Sequence, residues 1–212
     1  MIKYLSAEEV GEYLQVGGDD VRHLLRTGKL YAKKLGGRKG DYLIHPVDVR
    51  RAQLMRRTLS AKQDPASPDM FWVEAACSFL KELIDLSGFK PTLVVGVAYG
   101  GLVPAACVSS LLKCPLVSLR VSHYADRERL SEVSVGELDC SISSEETVLV
   151  VDDIADTGGS LQAVQQVLLA TGVSGSSIKF AVLHKRSKCD FEPDWAVSVI
   201  DSWVTYPWER HL

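Results

Sequence analysis

The sequence predicts an α/β protein: a mostly parallel sheet with helices on both faces, preceded by a small unit of helices and a two-stranded wing. Three observations predict it. Apolar runs recur from about residue 92 onward, TLVVGVA, PLVSLRVS, TVLVVDD, IKFAVLHK and WAVSVID, separated by helical or polar segments. Such near-continuous strands alternating with helices mark a parallel sheet covered on both sides. Residues 59–68 are polar and proline-bearing and read as a linker. Charge changes sign near that linker: residues 1–60 hold 12 Lys+Arg against 7 Asp+Glu, the remainder 12 against 20. The expected organisation is a small domain at 1–58, a linker at 59–68 and a main domain at 69–212.

The small domain opens with a capping box. Ser6 is the N-cap and Glu9 the third helical residue, with Val10, Tyr13 and Leu14 at helical spacing. Gly17-Gly18 marks a turn. A second helix runs from Asp19 to Thr27 and stops at Gly28. YAKKL and DYLI then flank a basic, glycine-rich turn, which reads as a hairpin. A third, basic helix follows His45-Pro46. Helix, turn, helix and wing is the layout of a winged helix-turn-helix. The stretch YLSAEEVGEYLQV through RKGDYLIHPVDVRR resembles the excisionase/MerR-like family. That resemblance implies double-stranded DNA or another nucleic acid as partner. Arg22, Arg26, Lys33, Arg38 and Lys39 are the candidate contacts. Asp19-Asp20 opposes this, since acids there would face phosphates. Binding of a partner protein, or a role in assembly, stays open.

In the main domain a helix spans about 69–87, and a second runs to Lys113 after the first strand. The stretch 122–146 is polar and reads as a long insertion, and a helix covers 160–171. The chemistry concentrates in VLVVDDIADTGGSL, residues 148–161. Val148–Val151 form a buried strand with Asp152 and Asp153 at its carboxyl end, where α/β sheets bind ligands. Asp156, Thr157, Gly158, Gly159 and Ser160 then lead into a helix. Glycines admit close backbone approach, and a helix N-terminus offers free N–H groups to an anion. Two adjacent carboxylates would repel a bare phosphate. They suit the vicinal hydroxyls of a ribose whose 5-phosphate lies in the cradle.

This run resembles the phosphoribosyl pyrophosphate (PRPP) signature of type I phosphoribosyltransferases, and its D-D-x-x-D-T-G-G-S form is most similar to the 6-oxopurine branch. The resemblance implies that fold, with a C-terminal hood over the purine. It gives Asp152 and Asp153 the ribose hydroxyls, Asp153 a share of Mg2+, and Asp156 the role of general base at the purine. VGVAYGGLVPA, with Ala98, Tyr99, Gly100 and Gly101, resembles the pyrophosphate loop, which often carries a non-proline cis peptide. Many relatives have Arg or Lys where this chain has Tyr99. Ser122 and Tyr124 resemble the start of a flexible loop, in which Arg127 and Arg129 could supply positive charge. Lys185, at the end of IKFAVLHK, matches the donor to the purine 6-oxygen. DSWVTYPWER, residues 201–210, resembles the hood: Trp203 stacks on the purine, Val204 meets its edge and Glu209 approaches a second metal.

Composition fits this reading: 46% hydrophobic, 24% charged, net charge −3. No apolar run reaches the roughly 20 residues of a membrane span, and the first residues lack a signal pattern. The expectation is a cytoplasmic protein that forms a homodimer or homotetramer. Cys77, Cys107, Cys114, Cys140 and Cys189 are widely spaced with no C-x-x-C pair, which argues against a disulfide framework or a zinc site. Two functions remain. One is a purine phosphoribosyltransferase using PRPP and a 6-oxopurine. The other is a PRPP- or nucleotide-sensing DNA-binding regulator with little or no turnover. Retention of Asp156-Thr157 favours the enzyme, and Tyr99 speaks against it.

Overall fold

A computed structural model describes residues 5–14, 17–19, 21–22, 33–34, 42–44, 49, 66–124, 132–135 and 142–209. The chain divides into two compact units, Met1–Gln63 and Asp64–Leu212.

In the first unit, helix α1 spans Ala7–Leu14. Its capping box closes reciprocally: the Ser6 N–H donates to Glu9 Oε2 at 2.8 Å and the Glu9 N–H to Ser6 Oγ at 3.2 Å. Residues 19, 21 and 22 are helical, within the second helix expected from sequence, and Gly18, expected in the turn, is helical too. Strands β1 (Lys33–Lys34) and β2 (Tyr42–Leu43) pair antiparallel, and Leu5 bridges to Ile44 beside them. Arg22 is committed to two acids, Glu8 at 2.9 Å and Asp19 at 3.2 Å. Only the backbone of Lys33 is described. Arg26, Arg38 and Lys39 lie outside the described residues.

The second unit carries the sheet. Helix α2 (Met70–Ser87) starts at Asp69, whose carboxylate accepts the Trp72 N–H at 2.8 Å, and ends at left-handed Gly88. There follow β3 (Leu93–Ala98), α3 (Leu102–Leu112), β4 (Leu116–Tyr124), β5 (Glu132–Val135), β6 (Val148–Ala155), α4 (Gly159–Ala170), β7 (Ile178–Lys185) and β8 (Trp195–Val199). The strand order is β5-β4-β3-β6-β7-β8. All neighbours are parallel except β5, which runs antiparallel to β4. Strand β5 departs from the expectation of an irregular insertion at 122–146. Its Glu132-Val133-Ser134-Val135 alternates with period two, and it adds to the sheet edge as a hairpin partner of β4.

Val95, Val97, Leu119, Val150 and Val182 pack with Leu161, Val164 and Leu168 of α4. The other face meets α2 and α3. A Cβ on Gly96 would come within 2.8 Å of Ala105 Cβ, so glycine lets β3 and α3 close up. Each fully buried Val or Leu side chain stabilises by about 1.5–3 kcal/mol. The sheet order reverses between β3 and β6, one strand leading outward to β4 and the other to β7 and β8. A crevice at the carboxyl ends of β3 and β6 is the expected ligand position in such a sheet. Cys77, Cys107, Cys114 and Cys189 are free thiols. No helix among the described residues is long and apolar enough to cross a membrane.

Candidate active site

Two loops face each other across that crevice. The first follows β3. Its Ala98–Tyr99 peptide is cis, and Gly101 donates to Val97 O at 2.9 Å and caps α3. The loop lies directly on the acids of β6. A Cβ on Gly100 would fall 2.2 Å from Asp153 Oδ2, and one on Gly101 would fall 2.6 Å from Val151 O. Glycine is required at Gly101, where the opposing atoms are backbone, whereas a methyl group at Gly100 would have to displace the Asp153 carboxylate.

The acids sit inside β6, not beyond its end as the sequence suggested. The ladder to β7 continues through Asp152↔Val182, Ile154↔His184 and Ala155↔Lys185. Asp152 and Asp153 are therefore only 7% and 6% exposed. Burial, then the neighbouring Asp153 charge, pushes the Asp152 carboxyl well up. Burial also raises Asp153, to about 6. The Ile154 N–H works against that rise, and the charge of Glu209 adds to it. The Trp208 indole N–H faces Asp153 without closing a full hydrogen bond. This acid pair has no cation beside it among the described residues.

The second loop follows β6. Gly158 takes a left-handed φ of 92° as N-cap of α4, and a Cβ there would collide with Phe191 Cβ at 2.3 Å. Helix α4 begins at Gly159, one residue ahead of the start at 160 that the sequence suggested. Ser160 is therefore in its first turn. The Gly159 N–H donates to Thr157 Oγ1 at 3.4 Å. The first turn of a helix has N–H groups without intrahelical acceptors, so this end is suited to an anion.

Asp156 is exposed, and its Oδ1 accepts from Arg186 Nε at 3.0 Å. Arg186 also donates to Ser202 O at 2.6 Å, tying the Asp156 loop to the C-terminal segment. Lys185, 13% exposed at its side chain, forms an ion pair with Glu192. Trp203 is 76% exposed, while Val204 is buried and Thr205 N donates to Ala66 O at 2.9 Å. Glu209 Oε2 accepts the Tyr206 N–H at 3.0 Å. Tyr206 donates its hydroxyl to Asp153 O at 2.8 Å and contacts His184 Nδ1 at 2.7 Å, which binds the C-terminal segment to β6 and β7. Burial, then the Arg186 charge, depresses His184 to about 4.

The sequence matches a phosphoribosyl transferase domain over residues 73–212. The chain belongs to the phosphoribosyl transferase family. A xanthine-guanine phosphoribosyltransferase of Idiomarina loihiensis is 31% identical over 122 residues, covering 56% of this chain and 71% of the relative. The purine phosphoribosyltransferase of Pyrococcus horikoshii has a structure similar at TM-score 0.61 and 29% identity, over 68% of this chain and 93% of that one. A xanthine-guanine-hypoxanthine phosphoribosyltransferase of Helicobacter pylori shares the fold at TM-score 0.61 and 20% identity, over 68% of this chain and 94% of that one.

In this phosphoribosyltransferase most residues expected from sequence gather at one crevice: Ala98–Gly101, Asp152, Asp153, Asp156–Ser160 and Lys185. The backbones of Ser122 and Tyr124 lie at the end of β4, while Arg127 and Arg129 fall outside the described residues. Sequence reasoning missed Arg186 and Tyr206. The sequence singles out only Lys185 at the end of IKFAVLHK, although alternate residues near a strand end point to different sides.

Proposed function

We propose that the chain is a purine phosphoribosyltransferase that transfers the 5-phosphoribosyl group of PRPP to N9 of a 6-oxopurine, releasing pyrophosphate. The observation that carries this reading is the seating of Gly100–Gly101 against buried Asp152 and Asp153, beside the N-terminus of α4. One crevice thus offers two anion positions on either side of a pair of hydroxyl acceptors, which is the layout of PRPP. The purine-specific names of the Idiomarina and Pyrococcus relatives support the choice of acceptor.

The chain's residues divide the work. Asp152 and Asp153 accept the ribose hydroxyls, and Thr157–Ser160 with the α4 N-terminus hold the 5-phosphate. As the N9–C1 bond forms, the C1–oxygen bond to pyrophosphate breaks and the leaving electron pair stays with the diphosphate. The purine proton passes to Asp156 Oδ2, the oxygen not taken by Arg186. Lys185 exchanges Glu192 for the purine 6-oxygen, and Trp203 stacks on the ring. Asp153 and Glu209 fit a divalent cation because their mutual repulsion lacks a countercharge. No set of three metal-ligating side chains gathers among the described residues. Mg2+ held there would take its remaining oxygens from substrate and water, and would neutralise the departing diphosphate.

Incubation with Mg-PRPP and guanine, xanthine or hypoxanthine is expected to release pyrophosphate. Chelation is expected to stop the release, and Asp156→Asn to slow it at least about 100-fold. PRPP binding with no turnover on any of the three purines would replace this reading with a ligand-sensing regulator, which the Tyr99 departure favours.

Residues 1–58 are proposed as a nucleic-acid-binding winged helix-turn-helix, joined through 59–68 to the transferase at 69–212. Their positive charge supports it, and the pairing of Arg22 with Glu8 and Asp19 counts against Arg22 itself. Duplex binding that weakens steeply with salt is expected, with Arg38→Glu and Lys39→Glu reducing it. Binding that survives both changes would remove the wing as the contact.

A further inference from the structure

We propose that Arg120 is the side-chain cation that meets the diphosphate of PRPP, standing in for the charge that Tyr99 does not provide. This inference rests on the transferase reading above.

The position follows from register. Arg120 pairs with Ala98 across β3 and β4, so it sits beside the last residue of β3, where the loop begins. Its neighbour Leu119 is buried in the core that packs on α4. Alternation therefore puts Arg120 on the opposite face, the side from which the loop enters α3. There its guanidinium carbon lies 5.3 Å from the centroid of the Tyr99 ring, within range of a cation–π contact. Tyr99 is 68% exposed and Arg120 is exposed too, so the pair stands in solvent. The ring occupies the place of a loop cation, and it steers a cation from the next strand to that place.

Charge pairing singles out the same residue. Lys185 and Arg186, at the end of β7, are engaged with Glu192 and Asp156. No carboxylate pairs with Arg120 among the described residues. The strand order adds a polarity: β3 lies between β4 and β6, so its loop has Arg120 on one flank and Asp152 and Asp153 on the other. A diphosphate in that loop would meet the acids, with any cation they hold, from one side. A permanent positive charge would meet it from the other. Arg suits this better than Lys, because its planar fork can stack on the ring and still donate two hydrogen bonds to phosphate oxygens.

The test uses the full-length protein and two ligands: Mg-pyrophosphate, and a purine nucleoside 5′-monophosphate, which fills the ribose-phosphate cradle without a diphosphate. Arg120→Ala is expected to weaken pyrophosphate binding, and to raise the KM for PRPP, by about 10- to 100-fold. Monophosphate binding is expected to stay within about twofold. Arg120→Lys recovers part of the loss. Tyr99→Leu, which removes the ring but no charge, gives a smaller shift in the same direction. If Arg120→Ala binds pyrophosphate and PRPP like the wild type, or loses both ligands equally, the inference falls while the proposed function stands. If the wild type binds neither ligand, the proposed function falls and takes this inference with it.

Discussion

Asp153 keeps 6% of its surface in water and lies within the influence of the Glu209 charge. Ionising it in that place costs folding free energy at neutral pH, because burial raises its pKa. The ligand-free fold carries that cost because the same charge is what a ribose hydroxyl or a cation would meet. Asp153→Asn removes the charge and keeps an oxygen to accept the Ile154 N–H, which now arrives at 2.7 Å. The variant is expected to melt several degrees higher than the wild type at pH 7 and to lose at least about 100-fold in kcat/KM for PRPP. A calorimetric scan beside a pyrophosphate-release assay checks both, and an unchanged or lowered Tm would mean the carboxylate is not strained by its surroundings. Gly101 poses the opposite problem, a position that cannot accept an atom. A methyl group there would stand 2.6 Å from Val151 O and 2.8 Å from Asp152 Cα, both backbone atoms, so loop and strand must separate. A displacement near 1 Å at a reacting centre lowers rate by about 100-fold. Gly101→Ala is therefore expected to lower kcat/KM for PRPP by that order, while the core of the sheet still folds, as circular dichroism would report.

Strands β6 and β7 and the C-terminal segment are joined by one buried chain of polar contacts, from Asp153 O through the Tyr206 hydroxyl to His184. His184 is fully buried and stacked on Trp72 at 4.8 Å. It stays neutral in the fold down to about pH 4, whereas the unfolded chain takes up its proton near 6.5. Its contribution to stability is thus whole above pH 6.5, falls as pH drops toward 4, and levels off below. Urea unfolding at pH 7 and at pH 4.5 is expected to show a smaller acid loss for His184→Gln than for the wild type. Tyr206→Phe leaves two buried partners unmatched and is expected to cost about 1–3 kcal/mol at pH 7. This chain of contacts was not legible in the sequence, because its members stand up to 53 residues apart and nothing local marks them as partners. The strands themselves were legible wherever they are buried on both faces: IKFAVLHK is β7 from end to end. Strand β5 was missed because four alternating residues inside a polar stretch give too weak a signal without the neighbour that pairs with them. The extension of β6 through Asp152–Ala155 was missed for a related reason. Two acids end an apolar run in sequence, whereas the ladder to β7 carries the backbone on past them.

At the scale of the molecule, the sequence made both ligand loops recognisable but could not place them together. That depends on β3 and β6 being neighbours where the strand order reverses. Once they are neighbours, the candidate site belongs wholly to the unit Asp64–Leu212. Where the chain can be cut without harm follows from two contacts near its start. The Ala66 carbonyl accepts the Thr205 N–H at 2.9 Å, holding the segment that carries Trp203 and Val204. The Asp69 carboxylate caps α2, an interaction worth about 1 kcal/mol. A protein starting at Asp64 keeps both and is expected to retain kcat/KM within about twofold of the full chain. One starting at Met70 loses both. Without the tie at Ala66 the C-terminal segment is freed from one end, so this shorter protein is expected to melt several degrees lower and to bind purine at least about tenfold more weakly. If the Asp64 protein were instead the inactive one, residues 1–63 would have to contribute to the reaction.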